Sequence, residues 1–444
     1  MGKYFGTDGF RGEANVNLTV LHAFKIGRFL GWYYSKEHKG KIIIGKDTRR
    51  SSYMFEYAIA AGITSSGADA YLLHVTTTPS VSYVVRSEDF DCGIMISASH
   101  NPYYDNGIKL INSRGEKMSE NIIMDIEKYL DEDYPIPYAT KNDIGRTVDY
   151  SVGRNRYTGY IISLAKKSYK NYKVGIDASN GSTWMLAKNI FDTLGAETYV
   201  INNTPDGLNI NENCGSTHIE NLASLVKEKS LDIGFAFDGD ADRCLAVDEK
   251  GNIITGDHIL YFCGLYLKKQ DKLINNTVVG TIMSNMGLKN ALMKENIDFK
   301  ATDVGDKYVY ELMQKENYSL GGEESGHIIF SKYATTGDGL ITAIKIMEIL
   351  IESKLPASNL TKDYVHYPQK VKNVKVDDKD KIINNEDIKN KVKEITDNLG
   401  NSGRILLRKS GTEPVIRIMV EAESEELCDK YINEMYEVII KKLN

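Results

Sequence analysis

No Cys-x-x-Cys pair occurs in this chain of 444 residues, and its five cysteines, Cys92, Cys214, Cys244, Cys263 and Cys428, stand far apart. An odd, scattered set fits reduced thiols rather than a disulfide framework or a zinc site. No run approaches the roughly 20 apolar residues of a membrane span, and the opening residues Met1 to Gly6 lack the apolar core of a signal peptide. A cytoplasmic protein without a membrane partner is therefore expected. Nucleic acid is not expected either, because 55 Lys and Arg and 61 Asp and Glu are spread along the chain with a net charge of −6 and no basic block. Gly-x-Ser-x-Gly, the signature of a hydrolase nucleophile, is missing too. Proline is scarce, at eight residues, so its positions are informative. Pro135 and Pro137 lie in the polar stretch Asp131 to Asp149, and Pro356 and Pro368 bracket a second candidate joint.

Between those joints one pattern recurs. Lys41 to Asp47, Lys173 to Asp177 and Thr277 to Thr281 each read as a short apolar strand running into a polar or Gly-rich loop and then a helix. Each has a companion strand that also ends in a polar loop: Gly93 to Ile96, Ile233 to Phe237, and Tyr318 to Leu320. Three α/β units follow, with loops at the carboxyl ends of strands, where open sheets bind ligands. The tail differs. Arg404 to Leu407 and Val415 to Val420 read as strands around a loop, and Leu427, Tyr431, Met435, Val438 and Ile439 mark one face of a final helix. Four domains are expected, with boundaries at 1–150, 151–250, 251–366 and 367–444.

Four loops carry chemistry. After Ile233 to Phe237 come three alternating aspartates, Asp238, Asp240 and Asp242, and like charges gathered this closely suit a hard divalent cation such as Mg²⁺, Ca²⁺ or Mn²⁺. A solvated acidic turn is the plainer alternative. An EF-hand loop would need glycine where Arg243 stands, and helices where strands are expected. In Ser97 to Pro102, Ser99 is a weak nucleophile without an activating base or metal, and His100 beside it reads better as a structural hydrogen-bonder. Gly321 to His327 offers acceptors and a hydroxyl suited to sugar hydroxyls, or only a flexible acidic loop. Arg408 to Arg417 places two hydroxyls, a glycine and two arginines around a potential phosphate, although a Ser-Gly turn with surface arginines is also possible.

Together these loops, in order and spacing, resemble those of the α-D-phosphohexomutases, over essentially the whole chain. The resemblance implies an α/β fold of three consecutive α/β/α units around a central cleft, carrying the phosphoserine, metal and sugar-recognition loops in turn, plus a smaller C-terminal α+β phosphate-binding domain. It implies that Ser99, as phosphoserine, is the phosphoryl donor. Asp238, Asp240 and Asp242 would hold one Mg²⁺ per chain together with an oxygen of the Ser99 phosphate. Lys109, helped by Arg11, is the candidate general acid/base, a role that burial among cations would favour by lowering its pKa, and ion pairing alone is the plainer reading of both. Glu323 and Ser325 would grip the sugar, His327 would either contact it or order the loop, and Arg408, Ser410, Gly411, Thr412 and Arg417 would hold the distal phosphate. A hexose phosphate is the implied partner, for a monomer or homodimer.

Phe5 to Gly12, Cys214 to His218 and Thr335 to Leu340 bring the chain nearest to members that interconvert glucosamine 6-phosphate and glucosamine 1-phosphate, feeding UDP-N-acetylglucosamine and peptidoglycan. Glu324 stands where those members carry Gln and is shared with glucose and mannose relatives, which keeps phosphoglucomutase or phosphomannomutase activity as an alternative. An inactive sugar-phosphate-binding protein is an alternative of another class. Lys409 replaces an expected proline, and Lys307 an expected arginine, which would bind an anion less directionally.

Overall fold

The computed structural model describes residues 2–132, 134–409 and 414–443. They group into two compact units, Met1–Met283 with Ile297–Lys362, and Ser284–Asn296 with Asp363–Asn444.

The first unit contains three sheets. Strands β1 (Phe5–Gly6), β2 (Gly9–Glu13), β3 (Lys41–Lys46), β4 (Asp69–Val75), β5 (Cys92–Ile96), β6 (Asp105–Asn112) and β7 (Thr147–Asp149) form a sheet of order β1-β2-β6-β5-β3-β4-β7. The apolar run of β3 follows from its place in the middle. Ile42 and Ile44 pack towards Phe29 and Ile59 of the helices Val20–Tyr34 and Arg50–Ser65, while Ile43 meets Val81 and Val84 of the helix Thr78–Ser87. A parallel strand covered on both faces needs apolar residues at every position, and each such side chain stabilises the fold by about 2 kcal/mol.

The second sheet contains β8 (Lys173–Asp177), β9 (Glu197–Ile201), β10 (Ile233–Phe237), β11 (Cys244–Asp248) and β12 (Ile253–Ile254), in the order β12-β11-β10-β8-β9. The third contains β13 (Thr277–Thr281), β14 (Asp298–Thr302), β15 (Leu320–Gly322) and β16 (Ile328–Phe330), in the order β14-β13-β15-β16. One device appears in all three. A strand of the parallel core (β5, β10 or β15) runs into a polar loop, and the chain returns as an antiparallel neighbour (β6, β11 or β16). The pairs Ile96↔Ile108, Phe237↔Cys244 and Gly322↔Ile328 pin both ends of each loop. Strand β15 starts at Leu320 rather than at the expected Tyr318, whose amide instead closes the preceding helix end on the Met313 carbonyl.

The second unit is an antiparallel sheet of β17 (Gln369–Lys375), β18 (Gly403–Lys409) and β19 (Val415–Ala422), ordered β17-β19-β18. Ile416, Ile418 and Val420 share a core with Ile388 and Ile395 of the helix Glu386–Leu399 and with Tyr431, Met435 and Ile439 of the helix Glu425–Leu443. The short helix Met286–Lys294 belongs to this unit. Asn285 Oδ1 accepts the Tyr367 amide and its Nδ2 donates to the Tyr367 carbonyl, both at 3.0 Å, and the Met286 amide donates to Glu421.

Candidate active site

Ser99 is held by its backbone before its hydroxyl is used. Its amide donates to Ser97 Oγ at 2.9 Å, and Ser97 Oγ donates to Asp47 Oδ2 at 2.7 Å. The Ser99 carbonyl accepts from Arg49 Nη2 at 2.9 Å and Asn211 Nδ2 at 2.8 Å. These bonds fix a left-handed backbone, φ 52°, which costs a non-glycine residue about 1–2 kcal/mol. So constrained, the buried hydroxyl donates to Asp238 Oδ2 at 2.5 Å. His100 Nδ1 stands 3.5 Å from Ser99 Oγ, beyond a good hydrogen bond. Burial, with Arg243 and Arg11 nearby, pushes its imidazole down to about 4, so it is neutral at pH 7.

The aspartates arrive on the tight β10–β11 connection, where antiparallel strands replace the helices that an EF-hand requires. Asp238, Asp240 and Asp242 are all buried, which removes the solvated-turn alternative. Each offers an oxygen, and these lie within 4.8 Å of one another; among the described residues this is the only group of three or more such acidic or His/Cys ligands. Two bonds of about 2.1 Å span at most about 4.2 Å, so a small closing of the side chains would bring these oxygens onto one cation. Asp240 Oδ1 and Asp242 Oδ1 are buried with no hydrogen-bond partner, and burial together with Asp242 and Asp240 raises the Asp238 carboxyl well above its ordinary value. Orphaned carboxylate oxygens converging on one point fit a hard divalent metal. Gly239 lets the loop approach, since a Cβ there would lie 2.6 Å from the Ser99 carbonyl oxygen.

Lys109, on β6, is the central cation. Its Nζ lies 2.8 Å from Asp240 Oδ2, 3.0 Å from Asp242 Oδ2 and 3.1 Å from Asp8 Oδ2. Burial pulls the ammonium down, but Asp240, Asp242 and Asp8 outweigh it and hold Lys109 well above the usual lysine value. Its close neighbours are carboxylates, with Arg11 a cation among them. Arg11 pairs with Asp8, and the Arg243 amide donates to Asp238 Oδ1 at 3.2 Å. The Nε atoms of Arg11 and Arg243 are buried and unpartnered, and so are available to an anion.

Glu323, Ser325 and His327 sit in the β15–β16 loop. Glu323 Oε1 accepts the Gly305 amide at 3.1 Å, and His327 Nε2 accepts the Gly337 amide at 3.2 Å, leaving His327 Nδ1 buried without a partner. Lys307 pairs with the exposed Glu120 at 2.5 Å and lines the cavity beside the site. That cavity, of about 300 Å³, opens beside Asp8, Lys109, Lys117, Asp242, Asp306 and Tyr308, reaching the metal loop only at Asp242 and touching no residue of the serine loop. In the second unit Arg408 and Arg417 face each other across β18 and β19, Arg408 exposed and Arg417 half-buried, while Lys409 pairs with Asp380. Ser410, Gly411 and Thr412 lie outside the described residues.

Several participants carried no local signature in the sequence. Thr78 donates to Asp240 Oδ2 at 2.5 Å, and Arg49 and Asn211 cradle the serine from distant segments. Asp8 was within reach, because it lies between Gly6 and Arg11 in a conspicuous motif.

Family models for phosphoglucomutase/phosphomannomutase alpha/beta/alpha domains I, II and III match residues 2–135, 155–251 and 255–367, and that for the C-terminal domain matches 372–438. A phosphoglucosamine mutase from Lachnospira eligens is 65% identical, covering 100% of this chain and 99% of the relative. The chain belongs to the phosphoglucomutase/phosphomannomutase family. A solved member from Burkholderia thailandensis superposes with a TM-score of 0.81 at 22% identity, over 100% of this chain and 98% of the other, and shares the phosphohexomutase fold. The N-acetylphosphoglucosamine mutase of Aspergillus fumigatus, solved with GlcNAc-6P and magnesium, has a TM-score of 0.69 at 15% identity, over 99% and 96% of the two chains.

Proposed function

We infer that this chain is an isomerase that interconverts glucosamine 6-phosphate and glucosamine 1-phosphate through phosphoserine 99 and a sugar bisphosphate. The substrate follows from the full-length likeness to relatives named phosphoglucosamine mutase. The observation that carries the chemistry is the Ser99 hydroxyl placed 2.5 Å from Asp238 by two loops 139 residues apart, inside a buried carboxylate triad.

In the first transfer the bond from phosphorus to Ser99 Oγ breaks as one to the sugar hydroxyl forms, and the hydroxyl proton ends on Ser99. The bisphosphate then turns over, and the second transfer runs in reverse from the other end. Asp238, Asp240 and Asp242 are the ligands for one Mg²⁺, which supplies charge neutralisation at the phosphoryl oxygens. Lys109 acts as a cation beside the transferring group, and Arg11 and Arg243 point unpartnered Nε–H donors into the site. Glu323, Ser325 and His327 orient the sugar. Arg408 and Arg417, with Ser410, Gly411 and Thr412, anchor the distal phosphate. The work is divided among segments 1–150, 151–250, 251–366 and 367–444. All five cysteines are buried and unpaired, in keeping with a cytosolic setting, and among the described residues no helix is long and apolar enough to cross a membrane.

The test is ³¹P NMR of Ser99-phosphorylated protein with Mg²⁺ and, separately, glucosamine, glucose and mannose 6-phosphate. Fastest formation of the 1-phosphate from glucosamine is expected. Preference for glucose or mannose would reassign the substrate, and conversion of none would overturn the activity.

A further inference from the structure

Between the donor site and the sugar loop runs a line of alternating charges that the reaction as described does not use. Lys109 Nζ touches Asp8 Oδ2 at 3.1 Å, and Asp8 Oδ1 lies 3.2 Å from Lys117 Nζ. Lys117 Nζ also donates to the Thr7 carbonyl at 2.8 Å and meets Asp306 Oδ1 at 2.6 Å. Asp306 Oδ2 stands 3.5 Å from His327 Nε2, and the residue before it, Gly305, gives its amide to Glu323. Asp306 thus opens the helix Asp306–Glu316, where the helix dipole favours a carboxylate, and it meets the sugar loop at His327 while its neighbour Gly305 bonds Glu323. Lys117 comes from the turn after β6, the strand that carries Lys109. Other bonds across this seam, among them Lys307 to Glu120, Gln314 and Tyr310 to Glu116, Thr335 to Ser82 and the Gly115 carbonyl, and Arg86 to the Tyr333 carbonyl, touch neither loop.

We propose that the Lys117–Asp306 ion pair is a positioning device that sets the sugar-recognition loop against the Ser99 donor. With the pair intact, Glu323 and His327 are held at a fixed reach from Ser99. Without it, Lys117 keeps Asp8 and Thr7 while Asp306 loses its strongest partner, so the sugar is gripped less well in both of its orientations. The assignment rests on the phosphoglucosamine mutase reading.

Steady-state kinetics and thermal melting of Lys117→Met, Asp306→Asn, the double variant, Lys117→Arg and Gln314→Ala test it. Each single variant is expected to raise KM for glucosamine 6-phosphate about tenfold, with kcat within about threefold, and the double variant should be no worse than either, as for contacting groups. More bisphosphate should escape per turnover. Lys117→Arg should restore KM, and Gln314→Ala should match wild type. Wild-type kinetics in Lys117→Met, additive losses, or a fall in kcat at unchanged KM, as a smaller folded fraction would give, each overturn the proposal. Wild-type protein that forms no glucosamine 1-phosphate would remove the activity itself, and this role with it.

Discussion

At Ser99 the geometry separates holding from reacting. Five hydrogen bonds, from Ser99 N, Ser97 Oγ, Arg49, Asn211 and the Ser99 hydroxyl, define the loop, and only the last is lost on truncation. Ser99→Ala should therefore abolish turnover and the ³¹P signal of phosphoserine while melting within a few degrees of wild type. Asp240 is different, because its Oδ2 serves both Thr78 and Lys109 and its Oδ1 is unpartnered. Asp240→Asn removes the charge that both cations need. A loss of roughly 100-fold in kcat is expected, with half-maximal activity moved to higher Mg²⁺ in a titration of rate. An unchanged titration would take Asp240 out of the metal set.

Among the elements, two positions make the packing of loops testable. Gly239→Ala places a Cβ 2.6 Å from the Ser99 carbonyl oxygen, a backbone atom that two donors already fix. It should cost about 1–3 kcal/mol in denaturant unfolding and lower kcat more than a distant variant of equal stability. Asp338 caps the helix Gly339–Ser353, accepting the Ile341 amide at 2.9 Å and the Tyr157 hydroxyl at 2.9 Å. Burial pushes its carboxyl up to about 6, above its unfolded value. Its stabilising contribution is therefore complete below about pH 4 and is lost as pH rises through about 6, by about 3 kcal/mol. Asp338→Asn keeps a capping oxygen without the charge, so unfolding midpoints between pH 4 and 7 should be flatter than in wild type.

The strands that position these loops were legible because β10 is buried and apolar throughout and the interiors of β3, β8 and β13 are too. Strand β17 was not: Gln369–Lys375 alternates lysines along an edge, a pattern that blunts edge pairing and reads as polar. The aspartates and Ser99 announced themselves as local clusters. Arg49, Asn211, Thr78 and Lys117 did not, because their partners lie 50, 112, 162 and 189 residues away. The surroundings of Lys109 were hidden for the same reason. Which charges surround a lysine is set by tertiary contact, and here carboxylates prevail.

For the molecule as a whole, the division into units does not follow a single cut in the chain. Residues 284–296 lie before the last strands of the third sheet in sequence, yet bond to Tyr367 and Glu421, and the Ser284 carbonyl accepts from Arg404 Nη2 at 2.7 Å. A fragment ending at Lys362 loses all these partners. In limited proteolysis mapped by mass spectrometry, residues 284–296 should be cut much faster in that fragment than in the full chain, and equal protection would contradict the grouping. The threefold reuse of one strand–loop–strand device has a consequence of another kind. Because Gly322↔Ile328 closes the loop between them, Glu323 to His327 is framed so that its contents can be exchanged while the strands stay paired, and under the proposed function those contents would choose the sugar. Grafting the corresponding five residues of a glucose-selective relative should shift preference among hexose phosphates and leave phosphorylation of Ser99 intact. A chain built this way can change diet by one loop at a time.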